Sequence, residues 1–198
     1  MIKNYKFNIY IYFNMEDIKD RLGEYKYIFF NNLQNYVESE LIFFGSIKRI
    51  DYFKNSSDID IIIITDNVKS LLNKVQNFLN IKKPDIKKIY QQHSVNNNIV
   101  YGYKIKYDNK DSDISFDLLI YDDKFRKDVI KNINDINNLP IYMLIILFIL
   151  KSLYYSLYLI SKSNYNYLKC YIFYCYFNKS LRYYNKDFSP VIALDNFE

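Results

Sequence analysis

The pattern of apolar and polar positions predicts four elements in the first part of the chain. In residues 15–39, apolar positions recur every three or four residues, which is typical of one long amphipathic helix capped by Asn14. Residues 41–44 form a short apolar run, and residues 58–65, DIDIIIIT, are rich enough in β-branched side chains to predict a buried strand. Residues 67–79 return to a helical period. The predicted order is helix, strand, strand, helix.

The rest of the chain predicts a hairpin followed by helices. The segment around Pro84, up to residue 98, is interpreted as a loop. Residues 99–107 and 112–121, joined by DNKD, have the pattern of two paired strands. Everything after Lys124 is interpreted as helical, with Pro140 in the first turn of a strongly apolar helix. This order predicts the α/β (α+β) class, a small mixed sheet with flanking helices followed by a helical part.

Composition narrows the class of protein without deciding its function. The 198 residues are 50% apolar and include only three glycines and three prolines, which excludes a disordered or collagen-like chain. A net charge of +5 permits a polyanionic partner. Because the chain has one histidine and two cysteines, it cannot assemble a Cys/His zinc site by itself. Two reduced thiols and a start unlike a signal peptide predict an intracellular protein, cytoplasmic or nuclear.

One segment raises the alternative of a membrane protein. Residues 141–160, IYMLIILFILKSLYYSLYLI, are about long enough to cross a bilayer. Lys151 lies near the centre of that stretch, where a lone lysine costs roughly 2.5 to 3.5 kcal/mol on insertion scales. A buried helix whose lysine faces a functional cleft is therefore the preferred interpretation, with no membrane partner.

The pattern most informative about function is Gly45-Ser46 followed, after eleven residues, by Asp58-Ile59-Asp60. Residues i and i+2 of a strand point to the same face, so Asp58 and Asp60 place two carboxylates side by side. Like charges so placed repel unless a cation lies between them, and Mg²⁺ accepts one or two carboxylates together with substrate phosphates. Gly45 lets the backbone approach a phosphate, which the Ser46 hydroxyl and the following N–H groups can bind.

Phosphoryl transfer with two metal ions requires a third carboxylate from a neighbouring strand. The segment DSDISFDLLIY offers Asp111, Asp113 and Asp117, which share one face of a strand by their period of two. The spacing alone leaves the choice among them open.

These residues resemble a known family. FFGSIKRIDYFKNSSDIDIIII is similar to the glycine-serine, spacer, Asp-hydrophobic-Asp signature of the DNA polymerase β nucleotidyltransferase superfamily. Within it, the chain more closely resembles the terminal RNA nucleotidyltransferases, the template-independent poly(A) and uridylyl polymerases. Three features support that choice: Ser56-Ser57 before the aspartate pair, the string Asp113-Ile114-Ser115-Phe116, and the proline, apolar helix and lysine of residues 140–151. The resemblance covers roughly residues 16–177.

The resemblance implies a reaction and a metal site. The activity would be template-independent transfer of nucleotides from ATP or UTP to an RNA 3′ end, with two Mg²⁺ or Mn²⁺ ions. Asp58, Asp60 and Asp113 would be the catalytic carboxylates and metal ligands, and Asp117 is the alternative to Asp113.

The resemblance also implies a nucleotide site and a division of the chain. Gly45, Ser46 and Lys151 would bind the triphosphate, and Tyr167 would stack on the base. A nucleotidyltransferase catalytic domain would occupy residues 1–125, with the N-terminal helix packed on it or on the helical part. A partial helical domain, similar to the central domain of poly(A) polymerases, would occupy residues 126–198.

Departures from the family pattern keep other functions open. Ile47, Lys48 and Arg49 stand where the family has small, glycine-containing residues, and the helical part is short. The implied partners are a nucleoside triphosphate, an RNA 3′ end and a partner chain that completes the helical domain. The alternatives are a minimal nucleotidyltransferase that modifies a protein or small molecule, and a shortened non-catalytic subunit of an RNA-tailing complex.

Overall fold

The computed structural model describes residues 18–92, 99–177 and 192–193. The strands are β1 (Ile42–Phe44), β2 (Ile59–Thr65), β3 (Ile86–Gln92), β4 (Ile99–Asn109), β5 (Ile114–Asp122) and β6 (Ile192–Ala193). The α-helices are α1 (Lys19–Leu22), α2 (Glu24–Val37), α3 (Val68–Leu79), α4 (Arg126–Asn137), α5 (Ile141–Lys151) and α6 (Lys162–Phe177). A π-helical turn, Ser152–Ser156, continues α5.

The six strands form one mixed sheet in the order β1-β2-β5-β4-β3-β6. Strands β2 and β5 are parallel, and every other neighbouring pair is antiparallel. The β-branched run of β2 therefore lies inside the sheet, between β1 and β5. The predicted α+β class and the mixed sheet with flanking helices are confirmed; the division of the chain at residue 125 stays a prediction.

Alternation along β2 separates two cores. Ile59, Ile61 and Ile63 face α2 and α3, where they pack with the buried side chains of Phe30 and Val75. The alternate positions of the same strand face α4. A second apolar cluster lies between the sheet and this helix, with Ile62, Ile64, Val100 and Tyr121 from the sheet and Val129, Ile130 and Ile133 from α4. Asp60, at the start of β2, belongs to this second face but not to its apolar cluster.

The helices after the sheet pack partly on each other. Leu139, Met143 and Leu147 form a third apolar cluster with side chains of α6. No single helix in the described part of the chain is long and apolar enough to span a membrane. One pair, residues 123–137 with 141–156, meets the length and composition requirement only jointly, across a bend of 74°.

The predicted long N-terminal helix is wrong in one respect. Gly23 has φ 77° and ψ 160°, which separates α1 from α2. The break is not visible in the sequence pattern, because a single glycine changes the backbone direction while the apolar residues on either side keep their helical spacing. As a result Tyr25 and Tyr36 are exposed, and Phe30, Leu33 and Val37 form the buried face of α2. Asn14 lies outside the described residues.

Two strands were not predicted. Residues 86–92 were assigned to a loop, yet they form β3, antiparallel to β4. Its sequence, IKKIYQQ, lacks a clean alternation because Lys87 and Lys88 are both exposed near the edge of the sheet. The tail after Lys124 was predicted to be helical throughout, yet Ile192–Ala193 pair with β3. Both segments are strands because they pair with strands from distant parts of the chain.

Candidate functional site

A tight turn after β1 forms one wall of the site. Gly45 has φ 74°, and a Cβ atom there would lie 2.8 Å from Oδ2 of Asp60, so the turn requires glycine for both conformation and space. The Gly45 N–H donates a hydrogen bond of 2.9 Å to Oδ1 of Asn137, at the end of α4. Ser46 is buried in the same turn. The predicted phosphate-binding pair therefore lies directly against an aspartate of β2.

Three carboxylates converge beside this turn. Asp58 immediately precedes β2, and Asp60 and Asp117 are Cα partners on the parallel strands β2 and β5, so both side chains leave the same face of the sheet. Burial raises the pKa of Asp60 to about 6 against the nearby cations Lys169 and Lys104, and the negative charges of Asp117 and Asp58 add to the rise. The charges of Asp58 and Asp117 therefore both act on Asp60.

The predicted third carboxylate, Asp113, is in a different place. It lies in the turn before β5 with φ 50°, its side chain is 80% exposed, and Lys26 Nζ lies 3.2 Å from its carboxylate. The structure does not place Asp113 with Asp58 and Asp60, because its positive φ interrupts the extended backbone whose period of two grouped it with Asp117. Asp117, the alternative, is the aspartate beside Asp60.

Lys151 is buried against the loop that joins the glycine-serine turn to Asp58, and its Nζ lies 3.5 Å from Oγ of Ser57 in that loop. Its Nζ donates a 2.8 Å hydrogen bond to the main-chain oxygen of Asp51 and lies 3.1 Å from that residue's Oδ2. Burial lowers the pKa of Lys151 to about 8, against the opposing effect of the Asp51 charge. In this structure the Lys151 ammonium is therefore paired with Asp51, and its binding to a triphosphate stays a prediction.

Asp51 is the centre of a buried network that sequence reasoning missed. Arg49 contacts it through two nitrogens, Nε at 2.8 Å and Nη2 at 3.0 Å, and Nη1 of Arg49 donates to the main-chain oxygen of Ile136 in α4. Burial acts to raise the pKa of Asp51, but the hydrogen bonds and charges of Arg49 and Lys151 outweigh it and hold that pKa below its usual value. The network fixes the loop between Gly45 and Asp58 against α4 and α5.

Tyr167 points away from the carboxylates. Its side chain is 63% exposed, whereas Tyr165 is 5% exposed on the same helix, α6. Successive residues of an α-helix are rotated by about 100°, so Tyr167 lies almost opposite Tyr165 and Lys169. The helical phase of α6 therefore places Tyr165, and not Tyr167, on the inner side, and stacking of Tyr167 on a base stays a prediction.

An aromatic cluster lies near Asp58 instead. The rings of Tyr154 and Tyr165 stack with centroids 4.5 Å apart and an interplanar angle of 12°, and Tyr155 contacts both rings. Burial, followed by the charge of Asp58, raises the pKa of Tyr155 to about 12. Tyr155 lies in the π-helical turn, a backbone feature frequently found at functional sites. No sequence period pointed to this cluster among 23 tyrosines.

Two lysines that the sequence did not single out face the carboxylates. Lys169, on the inner side of α6, is the cation whose charge most strongly lowers the pKa of Asp60. Lys104, on β4, lies 2.7 Å from the Asp117 carboxylate. Lys169 comes four residues after Tyr165, so the helical period could have predicted that both lie on the same side of α6. The position of Lys104 could not be predicted in this way, because it depends on the register between β4 and β5.

The carboxylates suit a metal ion that substrate helps to bind. Within the described residues, no three His, Cys, Asp or Glu side chains form a complete cluster for an ion. Mg²⁺ nevertheless commonly takes only one or two carboxylates and completes its shell with water and phosphates. Burial is the main cause of the raised pKa of Asp60, and the charges of Asp117 and Asp58 add to it; a divalent cation would favour the ionised carboxylate. The oxygen donors present therefore fit Mg²⁺ or Mn²⁺.

Comparison with known proteins identifies the domain that carries this site. Residues 29–120 match the family model of the nucleotidyltransferase domain and are a domain of that kind, in the polymerase β superfamily. The match contains the glycine-serine turn and all three convergent aspartates. No curated protein and no solved structure matches the chain.

Proposed function

Since residues 29–120 are a nucleotidyltransferase domain, we propose that the protein transfers nucleotides from ATP or UTP to an RNA 3′ end without a template. The observation that carries the proposal is the convergence of Asp58, Asp60 and Asp117 beside the Gly45-Ser46 turn. Two of these carboxylates belong to one strand segment and the third to its parallel neighbour, which brings ligands for metal and a turn for phosphate to one place.

Asp58 and Asp60 would hold the metal ions, with Asp117 as the third ligand. When bound, Mg²⁺ or Mn²⁺ supplies positive charge that activates the attacking hydroxyl and neutralises charge on the transferred phosphoryl group. Asp117 would orient the acceptor 3′-hydroxyl, and the Gly45-Ser46 turn would contact the phosphates through the Ser46 hydroxyl and main-chain N–H groups. These roles divide the reaction between the sheet and the turn.

The nucleotide would be held from the helical side of the site. Lys169 is proposed to contact the triphosphate, because its charge already acts on Asp60 and a triphosphate between them would be attracted to it. Tyr154 and Tyr155 offer aromatic surface near Asp58 on which a base can stack. Lys169 and these tyrosines replace Lys151 and Tyr167 in the nucleotide site.

Lysines on the face of the sheet that carries Asp117 favour a polyanionic acceptor over a neutral one. Lys106 is the Cα partner of Asp117, and Lys87 is the Cα partner of Lys104, so all these side chains share that face. Lys87 and Lys106 are exposed. A row of cations leading from the carboxylates toward the sheet edge suits the phosphates of a nucleic acid strand.

The experiment is transfer by the purified protein to a labelled oligo(A) RNA, with each nucleoside triphosphate in turn and with Mg²⁺ or Mn²⁺. We expect a ladder of extended RNA products that is lost in Asp58→Asn. Asp113→Asn is the matched control, because it removes an aspartate from the same domain but outside the site. Label appearing on protein, or on a small molecule instead of RNA, would establish the minimal-nucleotidyltransferase alternative.

The non-catalytic alternative gives a different result. A shortened subunit of an RNA-tailing complex would bind the oligo(A) RNA but transfer no nucleotide under any of these conditions. RNA binding can be followed by fluorescence anisotropy, with Lys87→Ala compared against Lys88→Ala. Because neighbouring strand residues point to opposite faces, only Lys87 lies on the carboxylate face. Loss of RNA affinity in both variants alike would refute the proposed acceptor surface.

A further inference from the structure

An ion pair at the candidate site joins two strands of the sheet. Lys104 Nζ lies 2.7 Å from Oδ2 of Asp117, and the two side chains are 24% and 23% exposed. In the register of β4 and β5, Lys104 is opposite Leu119, and Asp117 is opposite Lys106. The Lys104 ammonium therefore reaches its carboxylate diagonally, a distance that long side chains span between antiparallel strands.

The same ammonium lies on the face that carries a second carboxylate. Asp117 is the Cα partner of Asp60 on the parallel strands β5 and β2, so the cation paired with Asp117 faces the side of the sheet from which Asp60 projects. Lys104 thus offsets part of the repulsion among the aspartates, which is what a metal ion would also do. A metal ion that binds the Asp117 carboxylate would therefore compete with the Lys104 ammonium for the same oxygen.

We propose that Lys104 is a built-in counter-ion of the site, which holds Asp117 until a divalent cation takes its place. This inference rests on the metal site of the proposed function and adds that metal binding at Asp117 is an exchange of cations. The ion pair keeps the carboxylates together in the metal-free protein and lowers the apparent affinity for metal. Lys104 is a positioning residue, since it acts through Asp117.

The exchange predicts opposite effects of one substitution with and without metal. In Lys104→Met the metal-free protein loses the cation between its carboxylates, so its melting temperature falls. The same variant no longer has to break an ion pair in order to bind metal, so its affinity for Mn²⁺ rises. A purely structural role for Lys104 would lower the melting temperature and leave or weaken metal affinity.

The test is the Kd for Mn²⁺, measured without nucleotide by electron paramagnetic resonance of the free ion. We expect Lys104→Met to bind Mn²⁺ about two- to fivefold tighter than the wild type, the range that partly exposed ion pairs support. Lys106→Met is the matched control, because it removes a lysine charge from the same face of the sheet. Lys106 is opposite Asp117 in the strand register but forms no ion pair with that aspartate in the structure. Its Kd should change little.

A double variant tests whether the effect passes through Asp117. In the Asp117→Asn background, adding Lys104→Met should give no further gain in Mn²⁺ affinity. Lys104→Gln, with folding checked by circular dichroism, serves if the methionine variant does not fold. Wild-type binding with no gain in the Lys104 variants, or an equal gain in Lys106→Met, would overturn the counter-ion role alone. No Mn²⁺ binding by any of these proteins would overturn the metal site of the proposed function as well.

Discussion

Gly45 lies against the carboxylate of Asp60, so closely that a Cβ atom on it would be 2.8 Å from Oδ2. Real Cβ atoms do not approach an oxygen that closely, so any side chain at Gly45 must displace Asp60. The turn that would bind phosphate and the carboxylate that would bind metal are thus positioned by one contact. Because β1 and β2 are antiparallel neighbours, with Phe44 opposite Asp60, the sheet itself enforces this contact.

We therefore expect Gly45→Ala to abolish nucleotide transfer and to weaken Mn²⁺ binding. Positive φ is unfavourable for alanine, so the free energy of unfolding should also fall by about 1 to 3 kcal/mol. Gly23→Ala is the control, since Gly23 also has positive φ but its nearest side-chain atoms are 3.8 Å away, on Lys54. Gly23→Ala should lose stability in urea titrations while keeping its metal affinity. Equal losses of metal affinity in both variants would contradict the role of the contact.

Asp117 and Asp113 should differ sharply when each is replaced by asparagine. Asp117→Asn removes a carboxylate beside Asp60 and is expected to lower the turnover number by at least about 100-fold, as loss of a group in the catalytic centre does. Asp113→Asn removes only an exposed ion pair with Lys26, which is worth about 1 kcal/mol or less. Steady-state rates with RNA and ATP distinguish the two. A greater loss in the Asp113 variant would restore the original assignment.

The free energy of unfolding should fall much more when the buried network loses its carboxylate, Asp51, than when it loses one of its cations, Lys151. Asp51→Asn leaves the Arg49 and Lys151 cations buried without their carboxylate and should cost about 3 to 5 kcal/mol of unfolding free energy. Lys151→Met leaves Asp51 with two contacts to Arg49 and should cost about 1 kcal/mol or less. Urea unfolding at neutral pH measures both. Similar losses in the two variants would contradict the central role of Asp51.

The same network predicts that the free energy of unfolding depends on pH, through Asp51 in acid and through Lys151 at alkaline pH. The folded pKa of Asp51 is below its unfolded value, so its stabilisation is present above about pH 4 and is lost as pH falls through the folded pKa. The gap between wild type and Asp51→Asn should therefore shrink in acid. A gap that is constant with pH would contradict the lowered pKa of Asp51.

Lys151 gives the alkaline side of that dependence. Its folded pKa is lowered to about 8, below the unfolded value, so the unfolded chain binds more protons above that pH. Stability of the wild type relative to Lys151→Met should consequently rise between about pH 8 and about pH 10. Unfolding free energies of both proteins across this interval provide the measurement, and a fall in the relative stability of the wild type would contradict the shift.

Lys169→Met should raise the KM for the nucleoside triphosphate about tenfold, because an ammonium facing the phosphates contributes a charge-assisted contact. Its melting temperature should stay close to that of the wild type, since Lys169 is only partly buried. Tyr167→Ala, on the outer side of the same helix, is the control and should leave KM unchanged. A rise in KM for the tyrosine variant alone would reverse the assignment of the inner side of α6.

The aspartate pair and the glycine-serine turn were predictable because their geometry is local. Asp58 and Asp60 are only two residues apart at the start of β2, so their charges lie near each other, and an apolar run such as IIII requires burial wherever it folds. The hairpin and the helix at residues 68–79 follow from the same short-range rules. Even the presence of a third carboxylate strand was predictable, since the segment after DNKD contains aspartates at alternate positions.

The sequence by itself therefore determined the class of fold, the strand that carries the aspartate pair and the turn beside it. Tertiary structure alone decided which distant side chain completes the site. The register of β5 beside β2 placed Asp117 next to Asp60, the register between β4 and β5 brought Lys104 to Asp117, and the buried carboxylate of Asp51 paired with Lys151. Local periodicity fixes the direction in which a side chain points along its own element. Partners from other elements are fixed only by strand pairing and by the need to neutralise buried charge.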